Sequence, residues 1–413
     1  VSGLGMRILH TSDWHLGRGL YGWYRNEEFE AFLDWLHKLI DEMNVDCLLV
    51  AGDVFDTSTP SNRAATLYYR FLAGLTTTGC QHVVIIGGNH DSPSFLNAPK
   101  KLLEALDIHV VGSATDNLAD ELIVLRDKAG QPELIVCAVP YLRDRDVRSV
   151  EARESIEDKT RKLVEGVADH YRAIAELAKR EKANVPIVAM GHLFTDGGQT
   201  IDGDGVRELY VGTLARVAPS IFDSSFDYVA LGHLHVPQKV KGQDHVRYSG
   251  SPIPMGFGEA DQEKSVCIVD FEGAGGSELE RFSMVIQQIA VPRFQELKQI
   301  KGDWNHISDT IDELADSNAW LEVVYEGEEI IGDLRQRLEL AVEGSELKVL
   351  RVQNSRLYQQ ILIKGDETLD DLTPKQVFER CLDANEISDD QRPELMAAYL
   401  EILTEIQEVD AQA

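Results

Sequence analysis

Five short polar motifs in this 413-residue chain carry side chains of the kinds that bind transition metals. They combine imidazole, carboxylate and amide groups at close spacing: Asp13-Trp14-His15, Gly52-Asp53, Gly88-Asn89-His90-Asp91, Gly191-His192 and Gly232-His233-Leu234-His235. A mixed nitrogen and oxygen ligand set suits manganese, iron or zinc, whereas calcium and magnesium prefer oxygen alone. The residue types therefore predict a transition-metal site, provided that the motifs converge in the fold.

Each motif taken alone has an ordinary interpretation. An Asp-x-His pair recurs by chance, a Gly-Asp pair is more often a turn, and a single loop histidine such as His192 is more often hydrogen-bonded than metal-bound. Five motifs in order, each at the end of a predicted strand, favour a shared site over these alternatives. The remaining histidines are interpreted as core, edge or surface residues: His10, His37, His82, His109, His170, His245 and His306.

Short apolar runs predict the strands that position these motifs: Arg7–Thr11, Cys47–Ala51, Val83–Ile86, Leu134–Val139, Pro186–Met190 and Tyr228–Leu231. All but the fourth run are followed at once by one of the five motifs. Because the carboxyl ends of strands in an α/β sheet share one edge, we expect the polar groups to meet there. The glycines that precede them predict sharp turns or close backbone approach. If the backbone is extended, alternation would point both side chains of Asp13-x-His15 or His233-x-His235 the same way.

The pattern between the strands predicts a layered α/β fold. Amphipathic periodicity predicts helices at Asn26–Met43, Ser61–Leu75 and Ser94–Leu106, and a helix or helix pair at Glu154–Lys182. From about Leu209 short strands with glycine and proline breaks predict a second sheet, and thus a β-sandwich flanked by helices. Residues 293–365 alternate helix with strand as a small α/β module, and residues 366–413 predict an acidic helical tail.

Composition bounds the class of protein. The formal net charge is −30, which taken alone argues against a nucleic-acid-binding protein, since such proteins usually carry a basic surface. Five scattered cysteines without CxxC spacing predict reduced thiols in a cytoplasmic protein. No apolar run approaches the length of a membrane span. Residues 1–5 are interpreted as an expression scar, with Met6 as the native start.

The ordered motifs resemble those of the calcineurin-like metallophosphoesterases. The stretches SDWHLG, AGDVFD, GNHDS and YSGSPIPMGFGE (248–259) resemble one branch in particular, the SbcD nuclease subunits, the bacterial counterpart of the double-strand-break repair nuclease. The resemblance covers about residues 6–290 and implies a metallophosphoesterase nuclease domain there. It implies a capping, DNA-binding domain at 291–365, and a tail at 366–413 that is a candidate docking segment for an ATPase subunit.

Carried onto this sequence, the resemblance implies two divalent metal ions, most simply Mn²⁺. One would be held by Asp13, His15, Asp53 and His235, and the other by Asp53, Asn89, His192 and His233. Asp53 would bridge the two ions. His90 would face the phosphate and stabilise or protonate the leaving oxygen, with Asp91 as its orienting partner.

The resemblance implies exonuclease and endonuclease activity on DNA double-strand ends and hairpins, in a cytoplasmic, nucleoid-associated protein. The implied partners are an SbcC-type coiled-coil ATPase subunit and a second copy of the chain in a homodimer. A phosphatase or small-nucleotide phosphodiesterase with the same site is the alternative, and a non-catalytic scaffold ranks last because every ligand is present.

Some contact residues are weaker predictions. For DNA phosphates they are Arg18, Arg25, Arg63, Arg143 and Arg145, and for the homodimer Leu67, Phe71 and Leu102. For the partner ATPase they are the apolar tail positions Leu382, Leu395, Ala398, Tyr399, Ile402 and Ile406, with packing on the chain's own domain as the equal alternative.

Overall fold

The computed structural model describes residues 5–147, 155–181, 183–200, 216–272, 282–329, 331 and 333–354, and single tail positions at Gln376, Phe378, Glu379, Leu382, Arg392, Leu395, Met396 and Tyr399. The chain forms two compact units, Val1–Glu296 and Leu297–Ala413. Four residues of the predicted expression scar, 1–4, lie outside the described residues. So do three of the predicted tail contacts, Ala398, Ile402 and Ile406.

The described residues of the first unit form fourteen strands. They are β1 (Arg7–Thr11), β2 (Gly19–Leu20), β3 (Trp23–Tyr24), β4 (Cys47–Ala51), β5 (His82–Ile86), β6 (Ile108–Val111), β7 (Leu122–Arg126), β8 (Pro132–Ala138), β9 (Ile187–His192), β10 (Tyr228–Gly232), β11 (Gln238–Val240), β12 (Gln243–Tyr248), β13 (Ser265–Glu272) and β14 (Ser283–Ala290). The six predicted strands, five of which carry a motif, are all present, and four of them differ slightly at their ends.

Two six-stranded sheets make a sandwich, as predicted. Their strand orders are β14-β13-β1-β4-β5-β6 and β11-β12-β10-β9-β8-β7. The motif-carrying strands β1, β4 and β5 run parallel to one another in the first sheet, as β9 and β10 do in the second. One apolar core lies between the sheets, where Leu49 and Val84 of one sheet meet Val136 and Met190 of the other.

The second sheet is not formed by the strands after Leu209 alone, as the sequence pattern had indicated. It is built on β8, β9 and β10, whereas β13 and β14 return to the first sheet, where β13 pairs antiparallel with β1. The reason is physical: apolar runs predict strands but carry no information on which distant strand each one pairs with. His10 lies in this interior, with Nδ1 2.9 Å from the Tyr228 hydroxyl, so its core interpretation is confirmed.

Helices cover the outer faces of the sandwich. They are α1 (Asn26–Glu42), α2 (Asn62–Leu75), α3 (Pro93–Asn97), α4 (Lys100–Glu104), α5 (Asp144–Val147) and α6 (Ile156–Arg180). The predicted apolar face of α1, including Phe29, Phe32 and Leu36, is buried against the first sheet. The predicted helix Ser94–Leu106 is two short helices, because Pro99 lacks the backbone N–H that a continuous helix requires. Glu154–Lys182 resolves to the single helix α6.

The second unit contains the predicted small α/β module. Three parallel strands, β15 (Leu297–Gly302), β16 (Trp320–Tyr325) and β17 (Lys348–Asn354), alternate with helices α7 (Trp304–Glu313) and α8 (Leu334–Ala341). The pattern had not indicated β15. Asp303 begins α7 by accepting a hydrogen bond from the His306 backbone N–H at 2.9 Å. Among the described residues, no helix is both long enough and apolar enough to cross a membrane.

Candidate metal centre

The five motifs converge at the carboxyl edge of the sandwich. The side chains of Asp13, His15, Asp53, His192, His233 and His235 are buried there. The first two motif loops are joined by backbone hydrogen bonds, from Asp13 N–H to the Gly52 carbonyl and from His15 N–H to the Asp53 carbonyl, both 3.0 Å. The third is attached to them because the His90 N–H donates to Asp53 Oδ1 at 2.9 Å. The predicted convergence is therefore a property of the fold.

Four of the predicted ligands have left-handed backbone conformations. The φ angles are 53° at Asp13, 48° at His15, 50° at Asp53 and 103° at His233. Non-glycine residues in this region cost about 1–3 kcal/mol each and persist where the surroundings enforce them, often at functional sites. The loops are thus not extended, so strand alternation does not explain how the pairs Asp13 and His15 or His233 and His235 come together.

The glycines beside the ligands allow close approach. A Cβ on Gly88 would lie 2.2 Å from Asp53 Oδ1, and one on Gly52 would lie 2.4 Å from His192 Nδ1. A Cβ on Gly232 would lie 1.9 Å from the Ala51 carbonyl oxygen. These separations are far below contact distance, so each of these positions requires glycine.

One group of ligands contains Asp53, Asn89, His192 and His233. His192 Nδ1 lies 2.9 Å from the Ala51 carbonyl and must donate to it, which leaves the lone pair of the neutral ring on Nε2. That Nε2 lies 3.0 Å from Asn89 Oδ1 and 3.3 Å from Asp53 Oδ2, and His233 Nδ1 lies 3.0 Å from Asn89 Oδ1. Electron-rich atoms at such distances require a proton or a cation between them.

The second group contains Asp13, His15 and His235, whose ligand atoms all lie within 4.8 Å of one another. His15 is 1% exposed, and among the described residues neither of its ring nitrogens has a hydrogen-bond partner. Buried polar atoms without partners call for an ion or water. Asp53 Oδ2 lies 3.6 Å from His15 Nε2, so this one carboxylate stands between the two groups, as a bridging ligand would.

The electrostatics of the metal-free site fit this interpretation. Burial opposes protonation of His192, but the nearby Asp53 carboxylate outweighs it and raises the pKa of His192 to about 9. Burial lowers the pKa of His233 to about 3, and the charge on His192 acts in the same direction. In the metal-free site, a proton on His192 thus supplies the positive charge that a metal cation would supply when bound. The residues present fit two divalent ions, the arrangement that the resemblance implies.

His90 lies beside the ligand groups and is oriented by Asp56, not by Asp91. Its Nδ1 is 2.7 Å from the Asp56 carbonyl oxygen. The Asp91 carboxylate instead accepts hydrogen bonds from three backbone N–H groups, those of Val54, Phe55 and Gly88. The predicted orienting role of Asp91 is therefore corrected: a carboxylate saturated by backbone donors fixes the two loops together. Asp91 had been predicted because it is adjacent to His90 in sequence. The contact of Asp56 with the His90 ring arises only in the fold.

Two further acidic residues, Asp56 and Glu259, contact the site, although neither is one of the residues that the five motifs identify as ligands. The Asp56 side chain lies 3.3 Å from His15 Nδ1, outside hydrogen-bonding geometry, and 3.0 Å from Arg18 Nη1. Glu259, which is fully buried, lies 3.2 Å from His235 Nδ1. Its position at the end of the family-like stretch YSGSPIPMGFGE was the one available signal.

The five predicted phosphate-contacting arginines lie in different settings. The predicted phosphate contact of Arg25 is wrong, because this side chain is buried at 2% exposure. It forms a bidentate ion pair with Glu28 and donates to the Pro254 carbonyl at 2.6 Å. Arg18 pairs with Asp56 next to the site. Arg63 and Arg145 are exposed, and Arg143 is half-buried. Arg143 and Arg145 line one open groove with Ser94.

Two of the three predicted homodimer contacts are core residues in this chain. Leu67 and Phe71 are 4% and 5% exposed, and the Phe71 ring packs edge-on against Trp14 with centroids 5.5 Å apart. Helical periodicity marked an apolar face on α2 but could not say what covers it. Leu102 is 70% exposed, so it remains available for a contact between copies of the chain.

Comparison with known proteins places this geometry in a family. Residues 6–237 match the family model described as calcineurin-like phosphoesterase, and residues 293–386 match one described as type 5 capsule protein repressor C-terminal domain. A protein of Escherichia coli K12, named as the SbcD subunit of nuclease SbcCD, is 36% identical over 95% of this chain and 97% of its own length.

Relatives with the same name occur in other bacteria. One from Bacillus subtilis is 33% identical over 77% of this chain and 78% of its own length. One from Rhodobacter capsulatus is 39% identical over 65% of this chain and 67% of its own length. The chain belongs to the calcineurin-like phosphoesterases and, within them, to the family of SbcD nuclease subunits.

Proposed function

We propose that this chain is the nuclease subunit of an SbcCD-type complex and hydrolyses DNA phosphodiesters as an exonuclease and as a hairpin endonuclease. The observation that carries the proposal is the pair of buried ligand groups that share the Asp53 carboxylate, with His90 half-buried beside them. The family relationship supports DNA as the substrate, because relatives that are named nuclease subunits match nearly the whole chain. That extent disfavours the alternative of a small phosphatase.

We propose Asp13, His15, Asp53 and His235 as ligands of one ion and Asp53, Asn89, His192 and His233 as ligands of the other. Mn²⁺ fits this mixture of imidazole, carboxylate and amide donors. Two divalent ions, when bound, would neutralise the scissile phosphate and activate water. Their four positive charges exceed the two negative charges of Asp13 and Asp53. The site can therefore attract phosphate within a chain whose net charge is −30.

His90 supplies the proton at the leaving oxygen. Because Nδ1 lies 2.7 Å from the Asp56 carbonyl and must donate to it, proton exchange takes place at Nε2. The His90 backbone N–H donates to Asp53 Oδ1, so the bridging carboxylate and the proton donor hold a fixed separation. Asp91 contributes by holding the loops that carry Asp53 and Asn89 together.

The relationship to SbcD nuclease subunits also supports a proposal for the domains and partners of this chain. We propose a homodimer, with Leu102 as a contact, and an SbcC-type coiled-coil ATPase as partner. We propose residues 6–290 as the nuclease domain, 291–365 as the capping, DNA-contacting domain and 366–413 as the segment that docks the ATPase. In the tail, Leu395 is 41% exposed and is available for that contact, whereas Leu382 is 6% exposed, which favours packing within this chain at that position.

Cleavage of an end-labelled hairpin duplex in Mn²⁺ tests the proposal. We expect His90→Ala to keep both metal ions, measured by elemental analysis, and to lose about 10²–10⁴-fold in rate, the usual contribution of general acid catalysis. His109→Ala is the matched control, because His109 lies at the start of β6, where parallel strands place it away from the site. Cleavage by His90→Ala at the wild-type rate would refute the assigned role, and loss of metal would make His90 a ligand.

A further inference from the structure

A small aromatic hairpin directly follows the first metal-ligand loop. β2 pairs with β3 so that Gly19 lies opposite Tyr24 and Leu20 opposite Trp23. The two tip residues, Tyr21 and Gly22, both have left-handed φ angles, 46° and 85°. This is the pattern of a two-residue type I′ turn, whose twist matches that of paired strands. Residues 19–24, here called the aromatic hairpin, thus form a defined tight element.

The hairpin exposes three large aromatic side chains. Tyr21, Trp23 and Tyr24 are 48%, 43% and 83% exposed, whereas Leu20, which directly precedes them, is 6% exposed. Leu20 and its cross-strand partner Trp23 share one face of the hairpin, and Tyr24 lies on the other face, where it is the most exposed of the three rings. A concentration of exposed aromatic surface of this kind on a soluble protein marks a contact site.

The hairpin is attached at two points to elements that hold the metal ligands. On one side the buried Leu16 follows His15 and pairs with Phe55, two residues after Asp53. At the tip of the hairpin the Tyr21 ring stacks on Phe257, with centroids 5.9 Å apart and planes 19° apart.

The base of the hairpin is fixed as well. The buried Arg25 guanidinium binds the Glu28 carboxylate and the Pro254 carbonyl. Pro254 and Phe257 belong to the segment that ends at Glu259, the partner of His235. The hairpin is therefore held in place at the border of the metal centre.

We propose that the aromatic hairpin binds unpaired nucleobases of the DNA substrate by stacking, a proposal that rests on the proposed nuclease function. Aromatic side chains stack on any base regardless of sequence, because every base has a π-face. Stacking requires no positive charge, which suits a chain with net charge −30. Bases inside a duplex have their faces covered, so the contact selects hairpin loops, overhangs and frayed ends next to the scissile phosphate.

The test pairs a protein change with a DNA change. Tyr24→Ala removes the most exposed ring and little packing, and Tyr24→Phe keeps the ring as the conservative variant. Val285→Ala is the matched control, since Val285 is an apolar residue on β14 that is 52% exposed. The substrates are a labelled hairpin duplex and the same duplex with abasic residues in its loop, cut in Mn²⁺.

We expect Tyr24→Ala to slow cleavage of the natural loop about tenfold, the loss of one base stack. The abasic loop should slow the wild type by a similar factor, and the two changes together should cost no more than either alone. Tyr24→Phe and Val285→Ala should cut both substrates at the wild-type rates. Wild-type metal content in Tyr24→Ala shows that the centre is intact.

Losses that multiply in the combination, or no loss on Tyr24→Ala, would overturn the stacking proposal. Weaker ATPase binding by Tyr24→Ala with full cleavage by the isolated nuclease chain would assign the hairpin to a protein contact and overturn it too. Failure of the wild type to cut either DNA would instead refute the proposed function. In that case the fluorescence of 2-aminopurine placed in the hairpin loop tests stacking without cleavage. Quenching of this fluorescence by the wild type but not by Tyr24→Ala supports base stacking, and equal quenching by both proteins overturns it.

Discussion

The Glu259 carboxylate connects His235, a proposed metal ligand, to a buried lysine. Oε1 lies 3.2 Å from His235 Nδ1, and Oε2 lies 2.5 Å from Lys264 Nζ. Glu259 also accepts from the Met255 backbone N–H at 2.9 Å, and Lys264 donates to the His235 carbonyl at 3.1 Å. A carboxylate behind a ligating histidine fixes the ring orientation and raises its basicity, so this pair bears on metal affinity although neither Glu259 nor Lys264 is a ligand.

We expect Glu259→Gln to weaken metal binding about 10–100-fold, as loss of such a partner typically does. The amide keeps the shape of the side chain but removes the charge that faces His235. Titration calorimetry with Mn²⁺ measures the change. The matched control is Glu263→Gln, which alters an acidic residue close by in sequence that is not a partner of His235. Equal affinity in wild type and Glu259→Gln would show that His235 needs no support.

The same carboxylate predicts an acid dependence of stability in the metal-free protein. Burial by itself would raise the pKa of Glu259, but Lys264 and His235 outweigh it and lower the pKa to about 2 from its usual 4.5. A lowered folded-state pKa means that the stabilisation is complete above pH 4.5 and is lost as the pH falls towards 2. The shift corresponds to a contribution on the order of 3 kcal/mol. Urea unfolding from about pH 6 to about pH 2.5 in EDTA should show a smaller loss of unfolding free energy for Glu259→Gln than for the wild type.

The sequence identified the residues that converge at the sheet edge because their positions depend on local pattern. An apolar strand that ends in Gly-Asp or Gly-His places a polar group at the sheet edge wherever that strand lies, so Asp53 and His192 could be identified without knowing the pairing. Asp56 and Glu259 could not, because their roles depend on which distant ring each one meets. Arg25 was misassigned partly for the same reason: Glu28 is a near neighbour in sequence, but the Pro254 carbonyl, 229 residues away, becomes close only in the folded chain.

Gly88→Ala should disrupt the centre without touching a ligand side chain. The added Cβ would lie 2.2 Å from Asp53 Oδ1 and 2.3 Å from the Asp53 backbone nitrogen, so the bridging carboxylate must move. Since metal sites tolerate only small displacements of their ligands, we expect both ions to bind weakly and hairpin cleavage to fall at least about 10²-fold. Gly79→Ala is the matched control, because a Cβ there meets no atom within 4 Å. Wild-type metal content in Gly88→Ala would contradict the crowding argument.

Arg25→Ala separates a structural arginine from a DNA contact. Its guanidinium is buried and bonded to Glu28 and Pro254, so removal leaves the Glu28 carboxylate buried without its partner. Breaking a buried ion pair in this way costs about 3–5 kcal/mol, which should appear in the free energy of urea unfolding. Arg63→Ala, at an exposed position, should leave stability within about 0.5 kcal/mol of the wild type. A phosphate contact would behave differently: Arg25→Ala would keep its stability and show a shallower salt dependence of DNA affinity. That pattern would restore the DNA-contact prediction for Arg25 and contradict its anchoring role at the base of the aromatic hairpin.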